Sequence, residues 1–215
     1  VKAGEWLFPK KIVNSSKFCV IHNAVDREKY RYSVQKREEI RGSMGITDQF
    51  VIGHVGNFCY QKNHYFLLDV FEEVHKKDPN TVLLLAGDGV RFEKVRQIVA
   101  EKNLEDVVKL LGRRSDTDYL YQGMDAFLLP SNFEGLPIAG IEAQSAGLPC
   151  FMSDEITKES KITEACYFIP LKSGAKYWAE EILDNRMERQ SAEFLDNAEQ
   201  YDLANQDQEL KSLIR

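Results

Sequence analysis

The chain has 215 residues, of which 43% are hydrophobic and 29% charged, so it is long enough to bury a core and is expected to be globular. Its 28 basic and 34 acidic residues give a formal net charge of −6, which repels a nucleic-acid backbone. No stretch approaches the roughly 18 consecutive apolar residues of a membrane span, and the first residues lack the features of a secretory signal. These properties predict a cytoplasmic protein with no transmembrane segment and no nucleic-acid partner.

Residues 1–45 do not follow the pattern of the rest of the chain. They contain one candidate strand, at residues 18–21, followed by polar residues typical of turns. We interpret residues 1–45 as a linker segment that precedes the folded body.

Residues 46–190 alternate short apolar runs with segments of helical periodicity. In the first such segment, Asn63 is a candidate helix cap, and the next apolar residues recur at helical spacing. The six candidate strands occupy residues 50–58, 81–89, 107–112, 126–131, 149–154 and 165–170. Short strands that are apolar on both faces and alternate with helices predict an α/β domain with a doubly wound parallel sheet of about six strands.

Residues 191–215 form a polar, acidic tail. Apolar residues recur in it at Leu203, Leu210, Leu213 and Ile214. This pattern predicts a helical tail that docks on another surface.

Ligands of open parallel sheets bind beyond the carboxyl ends of the strands, so the segments that follow the strands are the candidate site. The first strand is followed by Gly56 and Asn57, with Lys62 at the start of the next helix. Gly112, Arg113 and Arg114 follow the third strand.

The fourth strand is followed by "SNFEGLPIAGIEAQSAGLP", residues 131–149. Pro137 suits the first position of a helix, where its missing N–H is not needed. Gly135 allows the backbone to approach a ligand closely. The free N–H groups of Leu136 and Ile138, together with the positive end of the helix dipole, would bind a phosphate or another anion.

Two carboxylates lie on either side of this turn. Glu134 precedes it, and Glu142 lies in the second turn of the predicted helix. Helical side chains lean toward the N-terminus, so Glu142 can accept hydrogen bonds from a vicinal diol near the helix start. Ribose is the obvious diol beside a phosphate.

The span from Glu134 to Glu142 resembles the E-x7-E motif of the family 4 (group 1) retaining glycosyltransferases, which have the two-domain GT-B fold. The motifs "VIHNAVD", "VGNF…QKN" and "LLLAGDG" resemble further motifs of the C-terminal, donor-binding domain of these enzymes, and the match covers most of residues 20–154. The resemblance is greatest to bacterial exopolysaccharide and capsule enzymes. It implies a Rossmann-like domain that binds a nucleotide-sugar and works with an N-terminal acceptor-binding domain.

The resemblance also implies roles for individual residues. Glu142 would hold the ribose hydroxyls, Glu134 would contact sugar hydroxyls near the anomeric centre, and Lys62 would neutralise the diphosphate. Backbone N–H groups from Gly135 to Ile138 would assist Lys62, and the backbone from Gly112 to Arg114 would contact the base. The family stabilises the leaving diphosphate with such groups, so neither a metal nor another cofactor is implied.

One position departs from the family pattern. The family has an arginine after the glycine of the first loop, whereas this chain has Asn57, so a charged contact to the diphosphate is missing. Weak donor binding that depends heavily on Lys62 is therefore expected.

We predict transfer of a hexose-type sugar, from a UDP-sugar by preference, to a saccharide or lipid-linked acceptor in polysaccharide synthesis; the full-length protein could then be peripheral at the membrane. A second hypothesis is a non-catalytic module that binds a nucleotide-sugar, and a third is a dehydrogenase-type Rossmann domain. No G-x-G-x-x-G motif follows the first strand, which speaks against the third hypothesis. His54, inside a strand pattern, is interpreted as a core histidine, and Tyr121 as a packing residue.

Overall fold

The computed structural model describes residues 2–15, 18–21 and 23–213. The strands are β1 (Phe50–Val55), β2 (Thr81–Ala86), β3 (Val108–Gly112), β4 (Ala126–Leu129), β5 (Cys150–Ser153) and β6 (Cys166–Ile169). They form one sheet in the order β3-β2-β1-β4-β5-β6, and each neighbouring pair is parallel. The predicted six-stranded parallel sheet is confirmed.

Helices connect the strands and surround the sheet. They are α1 (Lys2–Leu7), α2 (Lys10–Val13), α3 (Arg27–Tyr30), α4 (Val34–Ser43), α5 (His64–Lys77), α6 (Phe92–Glu101), α7 (Thr117–Gly123), α8 (Ile138–Ser145), α9 (Gly174–Asp184) and α10 (Leu203–Leu213). In the described part of the chain, short 3₁₀ helices occupy Lys158–Ser160, Leu171–Ser173 and Asp196–Tyr201.

Successive residues of each strand point to opposite faces of the sheet and enter two separate hydrophobic cores. Val51 and Leu84 belong to the core that also contains residues of α4, α7 and α8. Ile52 and Leu83 belong to the core formed with α5, α6 and α9. Burying a large apolar side chain stabilises the fold by about 1.5 to 3 kcal/mol, so both faces must be covered. The sheet is therefore doubly wound, as predicted.

The connectivity fixes the location of the ligand crevice. From β1 the chain moves through β2 to β3 at one edge, and then returns to β4 on the other side of β1. Connections that leave neighbouring strands in opposite directions open a crevice at the carboxyl ends of these strands. In this fold the crevice lies above β1 and β4.

The leading part of the chain differs from the prediction. Residues 18–21 form no strand, and residues 27–43, expected to be turns, contain α3 and α4. The side chain of Ser33 caps α4 by accepting a hydrogen bond from the N–H of Lys36 (3.3 Å). The charged residues of α4 conceal its buried side, which periodicity alone does not reveal.

An ion-pair cluster fastens α4 to the sheet. Asp125, which directly precedes β4, accepts hydrogen bonds from Arg37 (2.5 Å), Arg41 (3.1 Å) and the N–H of Val51 at the start of β1 (2.8 Å). Arg41 is buried and also donates to the carbonyl oxygen of Gly123 (3.0 Å). The cluster lies at the amino ends of the strands, opposite the ligand crevice.

The C-terminal tail returns to the leading segment of the same chain. The N–H of Val25 donates to the carbonyl oxygen of Tyr201 (2.9 Å), and the N–H of Leu203 donates to that of Val25 (3.1 Å). Arg27 binds Asp202 through its Nε atom (2.7 Å). The tail therefore docks within the chain. His22 of the "VIHNAVD" motif and Ile214 of the tail lie outside the described residues.

Within residues 2–15, 18–21 and 23–213, none of the helices combines the length and the apolar composition that crossing a bilayer requires.

Candidate functional site

The loops that follow β1, β2 and β3 are hydrogen-bonded to one another above the sheet. The N–H of Gly56 donates to Ala86 (3.0 Å), that of Phe58 to Asp88 (2.9 Å) and that of Gly87 to Gly112 (2.8 Å), in each case to the carbonyl oxygen. Gly87 has φ +142°, and a Cβ atom placed on it would lie 1.9 Å from the carbonyl oxygen of Gly56. Only glycine permits this approach, so the rim of the crevice is a fixed backbone structure.

A cavity of about 390 Å³ opens between these loops. Its lining consists of Asn57, Gly87, Asp88, Gly89 and Arg113. The structure thus brings Asn57, which follows β1, and Arg113, which follows β3, to one cavity. Arg114 instead binds Asp116 through its Nε (2.8 Å) and Nη2 (2.6 Å) atoms.

Lys62 and Glu134 form an ion pair across the crevice. The Nζ atom of Lys62 lies 2.5 Å from Oε1 of Glu134, and only 15% and 7% of the two side chains are exposed. Ser131 donates a hydrogen bond to the same oxygen (3.0 Å), and Gln61 donates to Oε2 (2.9 Å). Glu134 is therefore held rigidly, with its charge balanced by Lys62.

The turn after Glu134 leads directly into α8. The helix begins at Ile138, and Pro137 is the N-cap residue, with φ −79° and ψ 101°, one position before the predicted one. The N–H groups of Ile138 and Ala139 lie in the first turn, where an α-helix offers them no acceptor. With Gly135 and Leu136, this helix start can bind an anion next to the Lys62–Glu134 pair.

Glu142 lies in the second turn of α8, and its two oxygens bind two tyrosines. The hydroxyl of Tyr30 donates to Oε1 (2.7 Å), and that of Tyr121 donates to Oε2 (2.9 Å). Burial, followed by the interactions with Glu142, raises the pKa of both tyrosines above the usual range. Both hydroxyls are therefore neutral donors, and they fix the orientation of the carboxylate.

Two histidines are buried beneath the Lys62 side chain. His54 bonds the carbonyl oxygen of Leu128 through Nδ1 (2.8 Å), and its ring centroid is 4.8 Å from that of His64. Burial lowers the pKa of His54 well below its usual range, and burial together with the Lys62 charge lowers that of His64 to about 4. Both rings are neutral at pH 7, in agreement with the interpretation of His54 as a core residue.

The strand order and the residues around the crevice agree with the result of a comparison of the sequence with models of known protein families. The family model described as "Glycosyl transferases group 1" matches residues 36–201. The chain belongs to this family. It is the C-terminal, donor-binding domain of a family 4 glycosyltransferase with the GT-B fold, as the resemblance implied. The match contradicts the alternative of a dehydrogenase-type domain.

Individual relatives support the assignment of this chain to the glycosyltransferase family. EpsF of Bacillus subtilis is 34% identical over 158 residues, a match that covers 73% of this chain and 41% of EpsF. The UDP-Gal:alpha-D-GlcNAc-diphosphoundecaprenol alpha-1,3-galactosyltransferase of Escherichia coli is 33% identical over 146 residues, which cover 66% of this chain and 38% of that enzyme. The chain thus spans about two fifths of the length of these relatives.

Solved structures have the same fold. The crystal structure of HepE from Anabaena, in complex with UDP and glucose, superposes with a TM-score of 0.78 at 21% sequence identity. The superposition covers 91% of this chain and 56% of HepE. At this identity the likeness establishes the fold of the glycosyltransferase domain and not its ligand.

The sequence did not reveal four polar residues that contact the two acidic residues. They are Gln61 and Ser131 at Glu134, and Tyr30 and Tyr121 at Glu142. Gln61 and Ser131 lie next to motif residues in the sequence, and this position could have marked them as site residues. Tyr121 is a packing residue, as interpreted, but it also donates to Glu142. No sequence pattern connects Tyr30 to a residue 112 positions away.

Proposed function

We propose that this domain binds a nucleotide-sugar and that, with an N-terminal acceptor-binding domain, it transfers a hexose-type sugar with retention of configuration. UDP is the proposed nucleotide, and a saccharide or lipid-linked acceptor in polysaccharide synthesis is the proposed acceptor. The observation that carries the proposal is the Lys62–Glu134 pair at the start of α8, with Glu142 in the second turn of the same helix.

The proposed roles follow from charge and position. The diphosphate lies between Lys62 and the first N–H groups of α8, because both offer positive potential. A lysine has three donors, so Lys62 can bind a phosphate oxygen while it still binds Glu134. Negative charge builds up on the departing diphosphate in the transition state, and donors fixed in advance stabilise this charge.

Glu134 and Glu142 would bind the two sugars of the donor. Glu134, beside the proposed diphosphate position, accepts hydrogen bonds from hydroxyls of the transferred sugar. Glu142 accepts them from the ribose, and the backbone of Gly112 to Arg114 contacts the base. Among the described residues, no group of three His, Cys, Asp or Glu side chains is arranged to hold a metal ion. That the reaction needs no metal remains a prediction.

An acceptor-binding domain is proposed because the chain covers only part of its relatives and because the leading helix α1 exposes large apolar residues. Trp6 and Leu7 are 86% and 62% exposed. Exposed apolar groups of this size, close together in sequence, are typical of a surface that another protein segment covers. If the acceptor is lipid-linked, the full-length enzyme acts at the membrane periphery.

The proposal is tested by titrating UDP, GDP and ADP, and then their sugars, into the domain while its unfolding temperature is recorded. A ligand at 100 times its dissociation constant stabilises the folded state by about 2.7 kcal/mol. UDP and a UDP-sugar are expected to raise the melting temperature, and Lys62→Ala is expected to abolish the shift. The exposed Lys94→Ala is the matched control. A flat response of the wild type to every nucleotide would contradict the proposal.

Asn57 favours a second candidate, a domain that binds the donor without catalysing transfer. Asparagine supplies no charge to the diphosphate, and Lys62 already shares its charge with Glu134. Joining the domain to an acceptor-binding domain of a relative and assaying transfer distinguishes the two. Nucleotide binding without transfer supports the second candidate.

A further inference from the structure

We propose that Tyr30 and Tyr121 position Glu142 for the ribose, and that Tyr30 thereby couples the leading segment of the chain to nucleotide binding. The inference rests on the proposed function, because it assigns the ribose to Glu142. It adds two residues that position Glu142, and it links the conformation of the leading segment, which contains Tyr30, to nucleotide binding.

The first observation is the geometry at the carboxylate. Each oxygen of Glu142 accepts one tyrosine hydroxyl, at 2.7 Å from Tyr30 and at 2.9 Å from Tyr121. A carboxylate oxygen has two acceptor positions, so each retains one. Two parallel acceptor positions on one rigid carboxylate match the two vicinal hydroxyls of a ribose. Without the tyrosines the side chain would be free to rotate, and ordering it would oppose binding.

The second observation is that the two tyrosine rings are themselves fixed. Tyr121 is fully buried, and its ring packs edge-on against Phe127 (5.7 Å) and Tyr30 (5.7 Å). Tyr30 is 7% exposed. Since both rings are packed into the core, their hydroxyls hold a defined position above α8.

The third observation is the place of Tyr30 in the chain. It is the last residue of α3, and its carbonyl oxygen accepts a hydrogen bond from Gln122 (3.0 Å), whose Oε1 in turn accepts one from the N–H of Ser33 (2.9 Å). Helix α3 follows Val25, which binds the returning tail. A displacement of this segment would move the Tyr30 hydroxyl away from Glu142. Since coupling is reciprocal, a nucleotide that fixes Glu142 also holds α3 in place.

The test compares UDP with 2′,3′-dideoxy-UDP, which lacks the proposed hydroxyls. Isothermal titration gives both dissociation constants for the wild type, Tyr30→Phe and Tyr121→Phe. Each variant is expected to weaken UDP binding by about three- to tenfold, the order of one lost hydrogen bond of ordinary strength, and to leave 2′,3′-dideoxy-UDP within about twofold. Tyr119→Phe, on the same helix as Tyr121 and partly exposed, is the control and should change neither constant.

A double-mutant cycle separates positioning from packing. In a Glu142→Gln background, Tyr30→Phe should have no further effect on UDP, because the residue through which it acts is already altered. An equal loss for UDP and 2′,3′-dideoxy-UDP would assign the tyrosines a packing role and overturn the inference. Unchanged UDP binding by both variants would also overturn it, and would mean that the ribose displaces the hydroxyls.

Amide hydrogen exchange tests the coupling to the leading segment. UDP is expected to slow the exchange of residues 26–34 in the wild type, and the effect should be lost in Tyr30→Phe. Tyr30→Phe is the principal variant; if Tyr121→Phe unfolds, the titrations of Tyr30→Phe and Glu142→Gln still decide the matter. If the wild type does not bind UDP at all, the proposed function fails, and the inference fails with it. Binding without slower exchange contradicts only the coupling.

Discussion

The Nζ atom of Lys62 lies 2.5 Å from Oε1 of Glu134, so the residues that we propose for the diphosphate and for the transferred sugar form one ion pair. Each therefore changes the charge that the other presents to a ligand. Lys62, which lacks the company of the arginine that the family pattern has at position 57, is partly neutralised by Glu134. This relationship makes the effect of a Glu134 substitution different for the nucleotide and for the reaction.

Glu134→Gln is expected to tighten UDP binding while it abolishes sugar transfer. Without the carboxylate charge, Lys62 attracts the diphosphate more strongly. The expected gain in UDP affinity is about three- to tenfold, the order for one charge several ångströms away in a partly screened site. The measurement is calorimetric titration of UDP at low and moderate salt. Glu93→Gln, at an exposed carboxylate on α6, is the control. Equal UDP affinity of Glu134→Gln and the wild type would show that Lys62 does not face the diphosphate.

Asn57→Arg is expected to strengthen UDP binding by about 1 to 3 kcal/mol, the range for a hydrogen bond to a charged group. Asn57 lines the same cavity as Arg113, so the new guanidinium would share the site with an existing cation. Asn57→Gln is the matched control, because it lengthens the side chain without adding charge. The gain should shrink as salt is added, and a gain that is equal for Arg and Gln would rule out a charge contact.

Asp125→Ala is expected to lower the free energy of unfolding by about 3 to 5 kcal/mol, since it leaves Arg37 and Arg41 without their carboxylate in a largely buried site. Asp116→Ala is the control: it breaks the exposed pair with Arg114, which contributes about 0 to 1 kcal/mol. Urea denaturation measures both. Similar losses for the two variants would mean that the Asp125 cluster does not anchor α4.

Stability is expected to fall as the pH drops below about 6.5 because burial lowers the pKa of both His54 and His64, and the share of His64 can be tested. Burial, followed by the charge of Lys62, lowers the pKa of His64 from the ordinary value of 6.5 to about 4, so the unfolded state binds the proton more readily. Its neutral form stabilises the fold fully above pH 6.5, and this contribution is lost as the pH falls toward 4. His64→Phe, which keeps a ring in the place that stacks on Phe58, should make the decrease in the free energy of unfolding over this interval smaller, and the part due to His54 should remain. If the pH profile of the variant equals that of the wild type, His64 does not cause the decrease. The urea dependence of the unfolding of both proteins is the control for two-state behaviour.

The sequence predicted the strands well because each is a short apolar run that is buried on both faces. Such runs, alternating with helices, are typical of parallel sheets. The sequence also placed Lys62 and Glu134 in one candidate site, since both follow strands and the carboxyl ends of parallel strands share one edge of the sheet. It did not predict their ion pair, or the bonds of Glu142 to Tyr30 and Tyr121, because these contacts join residues from 21 to 112 positions apart. Helix α4 was missed for a related reason: its buried face combines Ile40 with Arg41, and the partner of Arg41, Asp125, is remote in sequence. The division at residues 45 and 190 remains a prediction, and the contacts of α4 lead us to propose an earlier first boundary, near Val25.

The hydrogen bonds that join Val25 to Tyr201 and Leu203 have a consequence for protein engineering. The chain enters and leaves the six-stranded body at adjacent points. A segment excised between Val25 and Leu203 would therefore contain the whole sheet, and its two ends would lie side by side. Domains with neighbouring ends tolerate insertion into a host chain. Exchange of such segments between relatives would transfer the donor-binding domain as one piece.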